Sequence, residues 1–552
     1  MNKIKYPVIT ALAVIHQVIT HHLCKSIFTV PPSENTGDYV ICTICAFVIC
    51  WFFYHALWQV IIDKNRSSNT ITRVIKKALP YLIVMIAVSA VKLRGGYLSN
   101  DETLIYENAV SLTHYTWFYY ITTYYYIVSL MLIPHMYAPI FVKLIIEYLV
   151  VGYTVLRASD YFDTRTEQPF ISLGKKGQIK IGYGQLTMLL FLLYPVIAYT
   201  TSAHRLPIYF LLYLFMMVML LFDRLEQSVL TLQRLATLMF LGAVLTQWRT
   251  EGIYLFVLIP ILMFITYSTI SIPGITLRDA DHDDKEQPLI SISGNRTYNI
   301  KTRSVMVTVL VVYILIQYLV SIPQNGIAAR ELGAAADDRM KPFYAYTITN
   351  MYRNGLDMDK NADDLAIVDK YISLDSLDAI NEYYGDINYE DVLILYQPGF
   401  VGVREEADVT EYYNFVAALK RIFKNNPQIF LRTRIGAFVY AALPYHITFT
   451  GTDPRSLVSL ALSIVKSISY NLFIPLIIVL FILFYALTGS RWFTFFVSGG
   501  LLAHWFIVFI LAPASYFKYY FPVYITAYLY LLLIIIAGVH NRKHRTKIKI
   551  LQ

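Results

Sequence analysis

Long apolar stretches alternate with short polar connections over most of the chain. A membrane-spanning helix needs about 20 predominantly apolar residues, and stretches of that kind recur from one end of the sequence to the other. They fall near residues 6–22, 39–62, 79–93, 137–157, 184–201, 205–222, 229–247, 252–272, 304–322, 468–488, 492–513 and 519–538. The pattern predicts a polytopic α-helical membrane protein with about 12 transmembrane helices.

One further apolar stretch, 117–134, is rich in tyrosine, with Tyr119, Tyr120 and the run 124–126. An aromatic ring with a polar tip is favoured at the headgroup level of a bilayer. We therefore predict an interfacial or half-inserted helix on the outer side. Counting it as a full span would reverse the orientation of every element from there up to the large outer domain.

Clusters of basic residues predict the orientation of the spans. Lys3 and Lys5, the loop 63–77 and the tail 541–549 are rich in lysine and arginine, and such clusters favour the cytoplasmic side. An even number of spans satisfies all three, and the loop 271–303 is then cytoplasmic as well. The segments predicted to face outward are 94–117, 200–206, 248–252, 321–455 and 512–518.

The composition supports a membrane protein, because 57% of the 552 residues are hydrophobic and only 15% are charged, compared with about 25% charged in soluble domains. The composition predicts that the protein contacts a lipid bilayer and does not bind nucleic acid. Four cysteines lie at positions 24, 42, 45 and 50. Three of them fall within one apolar stretch, which favours small buried side chains over a disulfide framework or a zinc site.

The segment 323–455 differs from the rest, with 19 acidic and 13 basic residues. We predict a small extracytoplasmic α/β domain there, between a transmembrane module, 1–322, and a C-terminal part, 456–552, that holds the last spans and a basic cytoplasmic tail. Periodicity predicts helices at 362–372 and 376–384 and a strand at 392–396. A capping-box pattern from Asp408 to Glu411 predicts one more helix, which presents an apolar face and ends at 426–427.

Charged residues in the predicted outer segments form the candidate site. Charges beside membrane spans are costly and often functional. Cations next to apolar walls suit a lipid-linked phosphate, and a carboxylate beside them suits a general base. The candidates are Asp101, Glu102 and Glu107 in the first outer loop, Arg249 and Glu251 in the turn between two spans, Arg432 and Arg434 before the tenth span, and Lys518, Tyr519 and Tyr520 before the last. Two simpler alternatives stay open: Arg249 with Glu251 as an anchoring ion pair, and Lys518 as an interface anchor.

The order of these elements resembles that of integral-membrane glycosyltransferases of the GT-C superfamily. The resemblance rests on Tyr97-Leu-Ser-Asn-Asp101-Glu102, the Tyr-rich stretch that ends at Pro134, Trp248-Arg-Thr-Glu-Gly-Ile253, the late outer domain and Lys518-Tyr-Tyr520. It implies a polyprenyl-phosphate-linked sugar as donor and a glycan or cell-envelope acceptor at the outer face of the plasma (cytoplasmic) membrane. It also implies Asp101 as the catalytic base, with Glu102 as neighbour and substitute. Many relatives have Arg-Tyr where this chain has Lys518-Tyr519, and lysine lacks the planar fork of arginine.

The mechanism predicted from this resemblance is an inverting sugar transfer. Arg249, Lys518, Arg432 and Arg434 would hold the donor phosphate, Asp101 would deprotonate the acceptor, and Glu251, Glu107, Tyr519 and Tyr520 would support them. No cofactor is indicated. A divalent metal is compatible with the superfamily, although no metal ligand set is evident in the sequence. The alternatives are a lipid-linked polysaccharide polymerase or ligase and a membrane transporter or flippase.

Overall fold

The structure is a computed structural model, and it is predominantly helical. It describes residues 2–24, 27–29, 35–62, 69–92, 100–114, 119–166, 168–173, 179–202, 204–277, 290–331, 340–376, 389, 404, 409–443 and 464–551. The helices of the first half are α1 Asn2–Cys24, α2 Thr36–Ile61, α3 Thr70–Lys92, α4 Asn100–Val110, α5 Tyr120–Leu132, α6 Ala138–Phe162, α7 Tyr194–Thr200, α8 Leu206–Leu225, α9 Leu232–Trp248, α10 Leu255–Thr266 and α11 Met306–Glu331. Those of the second half are α12 Lys341–Arg353, α13 Ala362–Asp369, α14 Val409–Asn425, α15 Pro427–Ala442, α16 Phe473–Thr488, α17 Trp492–Leu511 and α18 Phe521–His544.

Seven helical segments among the described residues are long and apolar enough to cross a membrane. They are Thr36–Ile61, Ala138–Arg165, Leu206–Leu225, Thr302–Gln324, Ile464–Thr488, Trp492–Leu511 and Phe517–His544. Each has the length needed to cross a hydrocarbon layer of about 30 Å at 1.5 Å per residue. By length and composition, the chain is an α-helical multi-pass membrane protein.

The predicted spans 184–201 and 252–272 are not continuous helices. The stretch 184–201 is a 3₁₀-helix, Gly184–Leu192, followed by the short helix α7. Leu193 between them is extended. Pro195 lies in the first turn of the new helix, where a missing N–H is tolerated. The stretch 252–272 also divides, because the 3₁₀-helix Thr250–Tyr254 and α10 are followed by a strand from Thr269.

Helix α5 lies within the Tyr-rich stretch and is 13 residues long. At about 20 Å it is shorter than the hydrocarbon layer, which agrees with the prediction that this stretch is not a full span. The predicted belt of tyrosines is wrong, however, because Tyr120, Tyr124 and Tyr126 are buried within the protein. Their hydroxyl groups find internal partners: Tyr120 donates to the Val320 carbonyl and Tyr124 to the Asp38 carboxylate.

The predicted cytoplasmic loop 271–303 contains most of an antiparallel hairpin that the sequence analysis did not anticipate. Strands β4, Thr269–Leu277, and β5, Ile290–Lys301, pair with Thr269 opposite Lys301, and the register shifts between Pro273 and Gly274. The short strand β3, Leu230–Thr231, joins β4 in parallel, which gives the order β3-β4-β5. A separate two-stranded sheet pairs β1, Ile171–Leu173, with β2, Ile179–Ile181.

The acidic segment 323–455 contributes helices α12 to α15, which share a hydrophobic core of their own that includes Phe343, Tyr346, Phe415 and Leu419. Helix α14 confirms the helix predicted before Asn426, and its predicted apolar face lies in this core. The predicted helix 362–372 ends at Asp369. The predicted strand 392–396, Asp408 and all of 376–384 except its first residue lie outside the described residues. The boundary at 322/323 falls inside α11, which continues to Glu331.

Helix α8 lies in the main hydrophobic core, and nearly every one of its side chains is buried. A helix that is apolar on all sides is stable only when other helices surround it. Helices α6, α9, α10 and α18 pack against it. The charged residues of α8 lie near its two ends: Arg205 stands just before the helix, and Asp223 and Arg224 are in its last turn. A separate charged region therefore lies at each end of α8.

Candidate functional site

A short turn between α17 and α18 brings several predicted outer segments together. This turn contains a 3₁₀-helix, Phe517–Tyr520, in which successive side chains point in different directions because there are three residues per turn. Lys518 interacts electrostatically with Glu102, and the ring of Tyr519 lies against Arg249. Tyr520 interacts electrostatically with Arg434. We call this group the Lys518 site; it comprises Glu102, His204, Arg205, Arg249, Glu251, Arg434, Lys518, Tyr519 and Tyr520.

Glu102 of α4 is almost completely buried, with 1% of its surface exposed. His204 Nδ1 lies 3.1 Å and Arg205 Nη1 3.5 Å from its Oε1. Burial would raise the pKa of this carboxyl, but the hydrogen bond from His204 and the charges of His204, Arg205 and Lys518 outweigh burial, so its pKa is lowered well below the ordinary value. Glu102 is therefore held as a carboxylate.

Lys143 holds the loop that carries His204 and Arg205. Its buried ammonium group, on α6, donates to the carbonyl of Ser202 and, at 3.4 and 3.1 Å, to the carbonyls of Tyr199 and His204. Because a lysine ammonium has three donors, these contacts use its full hydrogen-bonding capacity. Lys143 thus fixes the backbone from which the partners of Glu102 project.

Arg249 and Glu251 form an ion pair at the turn between α9 and α10, with 17% and 13% of their side chains exposed. The Arg249 guanidinium also stacks 4.9 Å from the centre of the Tyr519 ring. The backbone of Tyr519 is contacted by His504 of α17, whose Nε2 lies 3.0 Å from the Tyr519 carbonyl. Since a carbonyl only accepts, Nε2 must be the donor. The other ring nitrogen, Nδ1, is buried and has no partner among the described residues.

Arg434 of α15 is a buried cation, with 1% of its surface exposed. Its Nε donates to the Phe509 carbonyl at 2.7 Å and its Nη2 to the Ala512 carbonyl at 2.9 Å. Its Nη1 is buried, and among the described residues it has neither a hydrogen-bond partner nor a carboxylate that forms an ion pair with the guanidinium. Burial lowers the pKa of Arg434, because a charged group loses solvation free energy when it is buried without a counter-ion.

Two predicted site residues lie elsewhere. Glu107 shares α4 with Glu102 but is exposed, because five residues along a helix turn the side chain by about 140°. Arg432 is exposed on the face of α15 away from Arg434. The backbone of Asp101 belongs to α4, whereas its side chain lies outside the described part of the chain.

Four residues of this region were not identified from the sequence: Lys143, His204, Arg205 and His504. His204 and Arg205 occupy a predicted outer loop, 200–206, so adjacent charges between two spans could have pointed to them. Lys143 and His504 lie inside apolar stretches and looked like isolated polar residues. In the described part of the chain, no three His, Cys, Asp or Glu side chains are grouped so as to hold a metal ion.

A second charged group, the Asp223 cluster, lies at the other end of α8. The buried Asp223 carboxylate accepts from Arg157 at 3.0 Å and Tyr267 at 2.5 Å and pairs with Arg234 at 3.3 Å. Arg157 also reaches Glu226 at 2.9 Å. Arg205 and Asp223 are 18 positions apart on one helix, which corresponds to about 27 Å. The two charged groups are therefore separate.

No known family model matches the chain, and neither a curated protein nor a solved structure shows significant similarity to it. Inferences about its function therefore rest on its own residues and their geometry.

Proposed function

We propose that the protein is a membrane glycosyltransferase that moves a sugar from a polyprenyl-phosphate donor to an extracytoplasmic glycan or cell-envelope acceptor. The observation that carries the proposal is Arg434, a buried guanidinium that has an unused N–H group and no carboxylate partner among the described residues. It donates to carbonyls at the end of α17, a candidate membrane span. A phosphate on a lipid tail would supply the missing negative charge while the tail stays in the bilayer.

The cations of the Lys518 site have unequal parts in this proposal. Arg434 and Lys518 bind the donor phosphate. Arg249 is already neutralised by Glu251, so it orients Tyr519 and the turn and adds little net charge. Arg432 is left out, because an exposed side chain on the far face of α15 does not reach the same phosphate.

Asp101 is the proposed general base, and Glu102 is assigned a positioning role. A carboxylate whose pKa is strongly lowered accepts a proton poorly, and that of Glu102 is lowered by His204, Arg205 and Lys518. Asp101 precedes Glu102 on α4, and neighbouring positions on a helix differ in direction by about 100°. Asp101 therefore need not share the partners of Glu102. Glu102 instead keeps His204 and Arg205 in place.

In the proposed reaction, Asp101 removes the proton of an acceptor hydroxyl while the oxygen attacks the anomeric carbon. The bond from that carbon to the phosphate oxygen breaks, the configuration inverts, and polyprenyl phosphate leaves. Charge accumulates on this leaving group, so cations stabilise it without a second acid. Glycoside hydrolysis differs, since it commonly uses two carboxylates.

Sugar transfer from a polyprenyl-phosphate donor, measured in membranes at matched folded yield, tests the assignment. Asp101→Asn should lower turnover by roughly 100-fold or more, and Glu102→Gln should lower it less. Glu107→Gln is the matched control, because it removes an exposed carboxylate from the same helix, and it should leave turnover unchanged. Near wild-type turnover of Asp101→Asn would refute the base assignment. Transfer only from a polyprenyl-pyrophosphate-linked glycan, with release of polyprenyl pyrophosphate, would identify a polymerase or ligase instead.

A further inference from the structure

The C-terminal segment 545–551 folds back on the protein after α18. Arg545 has a positive φ of 53°, the left-handed conformation that commonly ends a helix and turns the chain. The Asn541 side chain then forms two hydrogen bonds of 2.8 Å with the backbone of Ile548, one to its carbonyl and one from its N–H. These contacts fix the direction of the segment.

Side chains of this segment alternate between the solvent and the protein, as expected for extended backbone. Thr546 and Ile548 are half-buried, and Ile550 is buried with 3% of its surface exposed. Arg545, Lys547 and Lys549 alternate with them and are exposed. The segment thus presents a row of cations on a backbone anchored by its apolar residues.

A cavity of about 370 Å³ lies between this segment and the end of α6. Its lining contains three cationic side chains, two hydroxyl groups and no carboxylate: Tyr161, Arg165, Thr546, Lys547, Ile548 and Lys549. The Arg165 guanidinium is held 3.9 Å from the centre of the Tyr161 ring and donates to the Tyr161 carbonyl. The cavity is a shallow groove that is open to its surroundings, and the charge of its lining selects an anion.

Two candidate membrane spans end beside this cavity. The segment Ala138–Arg165 ends on one of its lining residues, and Phe517–His544 ends just before the folded-back segment. Helix ends of this kind lie where hydrocarbon gives way to headgroups. Basic residues next to a span attract acidic lipids.

From this geometry we propose that the cavity binds the phosphate of an acidic phospholipid headgroup. The site is independent of sugar transfer: α18 separates it from the Lys518 site by 24 residues, or about 36 Å. A soluble phosphate compound has the same recognition chemistry, so an experiment must distinguish the two sources.

The test measures binding of phosphatidylglycerol to the detergent-solubilised full-length protein, with phosphatidylcholine and glycerol 1-phosphate as comparison ligands. Phosphatidylglycerol should bind more tightly than either. Lys547→Gln combined with Lys549→Gln should weaken its binding by about 25-fold, roughly fivefold for each lysine.

The matched control combines Arg542→Gln with Arg545→Gln, which removes the same charge from exposed positions that do not line the cavity. It should change binding much less. An equal loss in this control would indicate a diffuse basic surface and overturn the proposal, as would unchanged binding in the double lysine variant. Equal binding of glycerol 1-phosphate would overturn the assignment to a lipid.

Discussion

The two charged groups at the ends of α8 differ in how well their charges are matched. In the Asp223 cluster, Arg157 and Arg234 face Asp223 and Glu226, and a tyrosine hydroxyl completes the set. In the Lys518 site, Glu102 pairs with Arg205 and Glu251 pairs with Arg249, whereas Arg434 has no carboxylate partner among the described residues. Matched buried charges can organise a fold without any ligand. For a buried cation without such a partner, we infer a ligand of the opposite charge.

The two charged groups differ in what compensates the free-energy cost of burying a charged side chain. An ion held away from water loses solvation, and only good partners restore that loss. Asp223 has its partners within the protein. Arg434 has two carbonyls and the rings of Phe343 and Tyr346 as partners, but no carboxylate among the described residues. We therefore infer that a donor phosphate supplies its counter-charge.

The largest expected effect is that of Asp223→Asn. It leaves the buried Arg157 and the partly buried Arg234 without the carboxylate that both of them contact, which should cost about 3–5 kcal/mol of stability. The folded yield and the thermal midpoint in detergent measure this loss. Asp160→Asn is the control, because it breaks the half-exposed pair with Arg73 and should cost about 1 kcal/mol or less. Equal effects of the two changes would remove the distinction between the Asp223 cluster and an ordinary surface pair.

Glu102→Gln should have an intermediate effect, about 1–3 kcal/mol, because the variant cannot match the charges of Arg205 and Lys518. The same thermal midpoint measures it.

The pH dependence of that difference gives a second test of Glu102. Because its folded-state pKa lies below the ordinary value of 4.5, its contribution to stability is present above pH 4.5 and is lost as the pH falls through the folded-state pKa. The stability difference between wild type and Glu102→Gln should therefore persist down to about pH 5 and be lost only in more acidic solution. A difference that already disappears near pH 6 would contradict the ion-paired state of Glu102.

Arg434→Gln should change stability by about 1 kcal/mol or less. The substitution loses two hydrogen bonds to carbonyls, and it also removes an uncompensated buried charge, so the two effects oppose each other. Chemical or thermal unfolding in detergent would measure it. A loss as large as that of Asp223→Asn would show that Arg434 is a structural residue with a partner of its own.

Arg432→Gln should have the smallest effect, within about 0.5 kcal/mol and without a change in donor binding, since its side chain is exposed. Thermal unfolding and donor binding both measure this. A marked fall in donor binding would place Arg432 in the site after all.

Apolar stretches predicted many of the long helices, because hydropathy depends on composition over about 20 residues. It could not predict the break at Leu193, which depends on Pro195 and on local geometry, or the burial of the α5 tyrosines, which depends on neighbours distant in sequence. The β4–β5 hairpin has a local signal in the alternation of isoleucine and serine, Ile290-Ser-Ile-Ser293.

Grouping the charged loops by predicted side brought Glu102, Arg249, Arg434 and Lys518 together before their contacts were known. The same grouping also included Arg432 and Glu107, because the side of the membrane on which a loop lies does not specify which face of a helix a residue occupies. His204 and Arg205 were missed because their importance lies in a single partner, Glu102, about a hundred residues away.

The most direct test of the unmatched charge is the binding of polyprenyl phosphate, the proposed leaving group, to the purified protein. We expect Arg434→Gln to weaken this binding about tenfold or more, the loss of one charge-assisted contact, while Arg432→Gln binds as the wild type does. Wild-type affinity in a folded Arg434→Gln protein, or an equal loss in Arg432→Gln, would contradict the account.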